Sequence, residues 1–190
     1  MRGAPDQTLI DILRVDHAGE YGAIRIYGAQ IAIARRVAPD LVSLLEHALG
    51  DERRHCATFA ANLAERGAKP CDMLPLWGIG GMFLGAITSL FGHDAILVCT
   101  EAVERTVHRH MDEQVAWLAT RDPILSQTIA AIRDEEIAHL DGAVTARRVA
   151  SGIFLRMLDA IVAAATEALV WLSTYGVSSR MRARITHDDR

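Results

Sequence analysis

Two glutamate–histidine pairs define the chemistry open to this chain: Glu52 with His55, and Glu136 with His139, each three residues apart. On a helix that spacing puts a carboxylate and an imidazole on one face, one turn apart, where both can reach a single cation. Each pair is preceded by a further glutamate at the same 32-residue distance, Glu20 before Glu52 and Glu104 before Glu136. Every one of these glutamates interrupts a stripe that otherwise reads as core. The stripes are Leu13, Glu20, Tyr27; Leu41, Leu45, Ala48, Glu52, His55, Phe59; Leu97, Thr100, Glu104, Val107, Met111; and Leu125, Ile129, Ile132, Glu136, His139, Ala143. Four carboxylates sharing one core repel each other and lose their hydration, and cations between them relieve both penalties. Two divalent ions balance four ionised glutamates. Two Glu-x-x-His pairs plus one Glu from each of two further helices form a ligand set of di-iron and di-manganese bundles. Carboxylate with imidazole suits iron or manganese better than a thiolate-seeking metal.

Neighbouring residues offer supporting or competing roles. Glu101 shares a face with Glu104 and is a rival ligand, although only Glu104 keeps the 32-residue register. Asp51, Glu135 and Asp141 are spaced to orient the imidazoles from outside, or to sit on a solvated face. Asp16 and His17 on the first helix either support the site or pack helices. Gly19 and Gly22 flank Glu20 at a cost in helix stability. Space near cations and close helix packing both explain them. His108 and His110 flank the fourth-helix stripe and are expected to be exposed, while Tyr27 and Cys56 read as packing residues.

The elements that must position these groups are helices. Pro5 to Thr8 opens a run to about Arg36, Pro39-Asp40 restarts the chain, and a second helix runs to Gly67. Residues 68–75 read as a loop and 76–91 as an apolar, glycine-bearing segment. A fourth helix runs from near Asp94 to Thr120, a fifth from Asp122-Pro123 to about Ser151, and a sixth from Ile153 to Tyr175. No segment has the alternation of a strand. The chain therefore reads as two helical hairpins of like design, joined by the apolar segment. The expected class is all-α: a four-helix bundle with two additional apolar helices, over residues 1–176, followed by a polar tail over 177–190.

Composition narrows the function classes. A net charge of −4 in 190 residues argues against a nucleic-acid partner, which needs a basic face. Cys56, Cys71 and Cys99 are odd in number and lack CxxC spacing, which disfavours a disulfide framework or a thiolate zinc site. Met1 to Gln7 lacks a secretion-signal core, so a cytoplasmic setting is expected. Met73 to Phe91 is 19 residues without a charge, but it contains Pro75, Trp77 and four glycines. A helix lying in a membrane interface, or a greasy channel mouth, fits that composition better than a span, with a core crossover or dimer contact as the alternative.

The motifs resemble a known family. Arg14-Val15-Asp16-His17-Ala18-Gly19-Glu20-Tyr21-Gly22-Ala23 closely resembles the first-helix signature of demethoxyubiquinone hydroxylases, which are ferritin-like di-iron carboxylate proteins. Asp51-Glu52-Arg53-Arg54-His55, Ala102-Val103-Glu104 and Arg133 to His139 follow in that family's order, as does Leu74-Pro75-Leu76-Trp77. The resemblance runs from about Leu9 to Ser173. It implies two Fe ions, with Glu20 and His55 on one, Glu104 and His139 on the other, and Glu52 and Glu136 bridging. It also implies an O2-dependent monooxygenase that hydroxylates a demethoxyubiquinol, a 2-polyprenyl-3-methyl-6-methoxy-benzoquinol, in ubiquinone biosynthesis. The expected partners are that polyprenyl quinol, a membrane surface, and other ubiquinone-biosynthesis proteins or a second copy of the chain. The expected location is peripheral, on the cytoplasmic face of the cell membrane. Electrons would come from a nicotinamide such as NADH or from the quinol, since the chain carries no nucleotide fingerprint. The rival readings are a ferritin-like iron store or ferroxidase and a peroxide-reducing protein. An iron store needs a polar shell assembly rather than a greasy crossover, and metal content and lipid co-purification would separate the peroxide-reducing reading.

Overall fold

Among the described residues six helices form, close to where the punctuation places them. A computed structural model describes residues 7–149 and 152–174. The elements are α1 (Gln7–Val37), a 3-10 turn (Pro39–Leu41), α2 (Val42–Glu65), α3 (Leu74–Leu90), α4 (His93–Leu118), α5 (Pro123–Ala146) and α6 (Ile153–Thr174). Among the described residues there is no strand. Gly67 and Gly92 adopt φ +65 and +89, left-handed conformations that end α2 and separate α3 from α4. Asp122 caps α5 by accepting from the Leu125 N–H at 3.0 Å, with Pro123 in the first turn.

Side-chain ties fix the directions of the helices. Asp16 on α1 bonds Gln114 on α4, and Tyr27 bonds Glu104, so α1 and α4 run antiparallel. His55 meets Glu135 and His139 meets Asp51, so α2 and α5 are antiparallel too. The chain enters α4 at the opposite end of the bundle from where it leaves α2, and α3 supplies the long crossover this requires. The helix packs against α1 through Gly78, Gly81 and Gly85. A Cβ on Gly81 would meet the Gly22 carbonyl, and one on Gly85 the Ile26 carbonyl. These glycines let the two backbones approach closely.

α6 does for α4 what α3 does for α1. Arg105 bonds Asp159 at 2.7 Å and His110 meets Glu167 at 3.0 Å, holding α6 parallel to α4. The duplication thus comprises three helices per half, one more than the hairpins read from sequence. The Trp77 indole N–H donates to Ser173 Oγ at 2.8 Å, and the Phe91 and Phe154 rings stand 5.1 Å apart, closing α3 against α6 at both ends. Outward, Ile79, Phe83 and Leu90 of α3 and Ile153, Met157 and Ile161 of α6 are exposed. Among the described residues no helix is long and apolar enough to cross a membrane.

Two boundaries differ from expectation. α3 begins at Leu74, inside the anticipated loop, because Pro75 is tolerated in a first turn. α5 ends at Ala146 rather than near Ser151. Arg147 turns extended (φ −63, ψ 139) and pairs with Glu101 at 3.2 Å, while the Arg148 N–H donates to Asp94 Oδ1 at 2.8 Å. The anticipated tail, 177–190, lies outside the described residues.

Candidate metal centre

Apolar packing brackets the centre at both ends. Leu9, Leu13, Phe59, Leu63, Met111, Leu118, Leu125 and Ile129 form one cluster, and Tyr27, Ile31, Leu41, Leu45, Ile96, Leu97 and Ala143 another. Between them lie Glu20, Glu52, His55, Glu104, Glu136 and His139, all buried. The structure brings all six together in two overlapping groups: Glu20, Glu52, His55 and Glu136, then Glu52, Glu104, Glu136 and His139. One potential ligand atom per residue can be chosen so that all atoms of a group lie within 4.8 Å of each other. Glu52 and Glu136 belong to both groups.

Each imidazole is held from behind and faces inward with Nδ1. His55 Nε2 meets Glu135 Oε2 at 3.1 Å, and its Nδ1 lies 2.9 Å from Glu136 Oε1 and 3.7 Å from Glu20 Oε2. His139 Nε2 meets Asp51 Oδ2 at 3.0 Å, and its Nδ1 lies 3.0 Å from Glu136 Oε2 and 3.5 Å from Glu52 Oε1. Asp51 and Glu135 thus orient the rings, and Arg54 bridges these two carboxylates. The Tyr27 hydroxyl donates to Glu104 Oε1 at 2.6 Å. Tyr27 is core, as expected, and also touches a site carboxylate.

Electrostatics in the cluster follow from burial. Desolvation, reinforced by neighbouring carboxylates, pushes Glu20, Glu52 and Glu104 well above the usual carboxylate range. Burial would raise Glu136 too, but the imidazoles of His139 and His55 beside it bring it down to about 2. Burial opposes charge on the imidazoles, yet the carboxylates around them win. His55 rises to about 9 and His139 to about 11. Burial also drives the Tyr27 phenol well above its ordinary value, so it remains a donor.

A divalent cation pair fits this donor set. Glu20 Oε2, Glu52 Oε1, His55 Nδ1 and Glu136 Oε1 are buried and lack a hydrogen-bond partner. Inward-facing orphans of this kind, on carboxylates and an imidazole, suit a hard or borderline metal.

The cluster forms the floor of a cavity of about 300 Å³, walled by α1, α3, α4 and α6. Glu20, Glu52, Glu104 and Glu136 line it, together with Ala23, Ile26, Trp77, Leu84, Val103, Val107, Met111, Leu169 and Val170. His110 also lines it and is buried, contrary to the expected exposure, because Glu167 of α6 covers its outer edge. Glu101 is engaged by Arg147 and stands outside both groups, so the structure does not support it as a rival ligand. Gly22 answers to close packing, since a Cβ there would press on Trp77; Gly19 has open space and borders the cavity. Asp141 is exposed. Gln114, which the sequence reading missed, meets Asp16 at 2.7 Å in the cavity wall. Its position one turn beyond His110 and Met111 was the available signal.

Helices of this order, with a crossover and a buried Glu–His core, define a ferritin-like helical bundle. Residues 7–173 match the family model described as "Ubiquinone biosynthesis protein COQ7". The chain belongs to the COQ7 family. It is 38% identical over 168 residues to the 3-demethoxyubiquinol 3-hydroxylase of Rhodospirillum rubrum, covering 87% of this chain and 78% of that protein. It is also 38% identical over 134 residues to the mitochondrial NADPH-dependent 3-demethoxyubiquinone 3-hydroxylase of Mus musculus, covering 68% of this chain and 61% of the relative. The mitochondrial 5-demethoxyubiquinone hydroxylase of Saccharomyces cerevisiae is 35% identical over 148 residues, 70% of this chain and 64% of that protein.

Proposed function

We propose that residues 1–176 form a di-iron monooxygenase domain that hydroxylates a demethoxyubiquinol with O2 in ubiquinone biosynthesis. One observation carries it: a buried Glu–His cluster is the floor of an apolar cavity large enough to admit a ring. An iron store or peroxide reductase gains nothing from walls of Ile26, Leu84, Val107 and Leu169. The names of the relatives support the same substrate class and, of the two donors left open by the sequence, a nicotinamide, which the mouse name gives as NADPH. Glu20, Glu52, His55, Glu104, Glu136 and His139 would hold two Fe ions, Glu52 and Glu136 serving both. The bound metal pair supplies O2 activation and the redox capacity.

The chain's own residues do the rest. Asp51 and Glu135 hold Nε2 of the imidazoles, which leaves Nδ1 directed among the site glutamates, where it would reach a bound metal. Tyr27 steadies Glu104, and the apolar walls exclude water from the reacting ring. The exposed apolar residues of α3 and α6, which flank the cavity, support peripheral attachment to a membrane that dissolves so apolar a substrate. The proposed location is the cytoplasmic face of the cell membrane. The test is single turnover of Fe(II)-loaded protein with a short-chain demethoxyubiquinol and labelled O2. Product should carry one labelled oxygen, and absence of product from any demethoxyubiquinol would end the proposal. Accumulation of ferric mineral or consumption of peroxide without ring hydroxylation would favour the storage or peroxide readings.

A further inference from the structure

The cavity carries polar side chains at two levels, and the metal-binding residues account for one. About one helical turn from Glu20, Asp16 of α1 faces Gln114 of α4, and the Gln114 Nε2 donates to Asp16 Oδ1 at 2.7 Å. Both residues line the cavity, at 8% and 3% exposure. Each keeps one buried oxygen, Asp16 Oδ2 and Gln114 Oε1, that no protein group satisfies. Leaving such oxygens unpaired in an apolar wall is costly, more so for a charged group, and native sites retain such atoms where a ligand or water completes them. Nearby wall residues Val15, Met111 and Val170 have no polar side-chain group to offer. His110 is already engaged by Glu167.

Building on the proposed quinol substrate, we infer that Asp16 and Gln114 recognise the substrate ring, Asp16 Oδ2 accepting the hydrogen of a ring hydroxyl. The register suits this role. Four residues separate Asp16 from Glu20, a rise of about 6 Å along α1, comparable to the width of one aromatic ring with its oxygens. A hydroxyl anchored at Asp16 leaves the far edge of the ring beside the glutamates. The pair therefore decides which ring carbon faces the metals, while the apolar walls take the tail.

The test compares two probes under anaerobic conditions: a short-chain demethoxyubiquinol and the same molecule with both ring hydroxyls methylated. Binding to the metal-loaded full chain is read by quenching of Trp77, which lines the cavity. Asp16→Asn keeps the oxygen that accepts from Gln114 and replaces the free one with a donor. It should weaken the quinol about tenfold or more, leave the ether unchanged, and raise KM for hydroxylation by a matching factor. Gln114→Leu should act in the same sense by a smaller factor, and carries the comparison should Asp16→Asn lose its helical circular dichroism. Equal quinol affinity in wild type and variants, with turnover intact, overturns this inference and leaves the proposed function standing. Failure of the wild type to turn over any demethoxyubiquinol sinks that function instead.

Discussion

Loading the metal-free protein should release protons, and the number follows from the site. His55 at about 9 and His139 at about 11 are both protonated in metal-free protein at pH 7, each held by surrounding carboxylates. A metal on either Nδ1 must displace one proton. Filling the pair displaces two protons, so the overall affinity for two ions rises about a hundredfold per pH unit between pH 6 and 8, about 2.7 kcal/mol for each unit, and the affinity for either ion about tenfold. Glu20, Glu52 and Glu104, raised well above the usual range by burial, add to that slope wherever they are still protonated. Stability runs the other way for the metal-free chain. Groups whose folded pKa is raised bind protons more tightly when folded. The imidazole contribution is complete below about 6.5 and is lost as pH climbs through 9 and 11. The raised carboxylates act with the same sign. Metal-free protein should therefore melt at progressively lower temperature as pH rises from 6 to 9, and added metal should restore more at higher pH. Anaerobic Co(II) titration in weak buffer with a pH indicator counts the protons directly. Release of fewer than two protons per filled pair of sites, or a pH-independent affinity, would refute the electrostatic account.

Two further perturbations separate the site's supports from its frame. Asp51→Asn or Glu135→Gln leaves the six inward residues intact but weakens the hold on His139 or His55, and metal affinity by titration should fall about 10- to 100-fold with helicity unchanged. Gly81→Val places a branched side chain against the Gly22 carbonyl, so thermal unfolding should show a loss of roughly 1–3 kcal/mol or more, and an unchanged melting curve would contradict the close approach of α3 to α1.

Much of this was legible in the sequence because helical periodicity is local. Glu20, Glu52, Glu104 and Glu136 stand out against apolar stripes, and the equal offset between the halves pairs them without knowledge of the fold. Distant partners were not legible. Nothing near Arg147 announces that Glu101 will draw it out of helical geometry, so α5 stops early. His110 looks exposed until α6 brings Glu167 over it, and Asp16 gives no hint of Gln114, 98 residues away. Close packing was one of two readings open for Gly22, and which helix it packs against, with Gly81 opposite, appears only when the two backbones meet.

The duplicated halves trade one carboxylate each. The group around His55 draws Glu20 and Glu52 from its own half and Glu136 from the other, while the group around His139 borrows Glu52 in return. Neither half alone can assemble either cluster, so the centre exists only at the seam between them. Two ions seated there would rivet the seam shut, making the reactive core and the joint of the molecule one object. Damage to either would register in both.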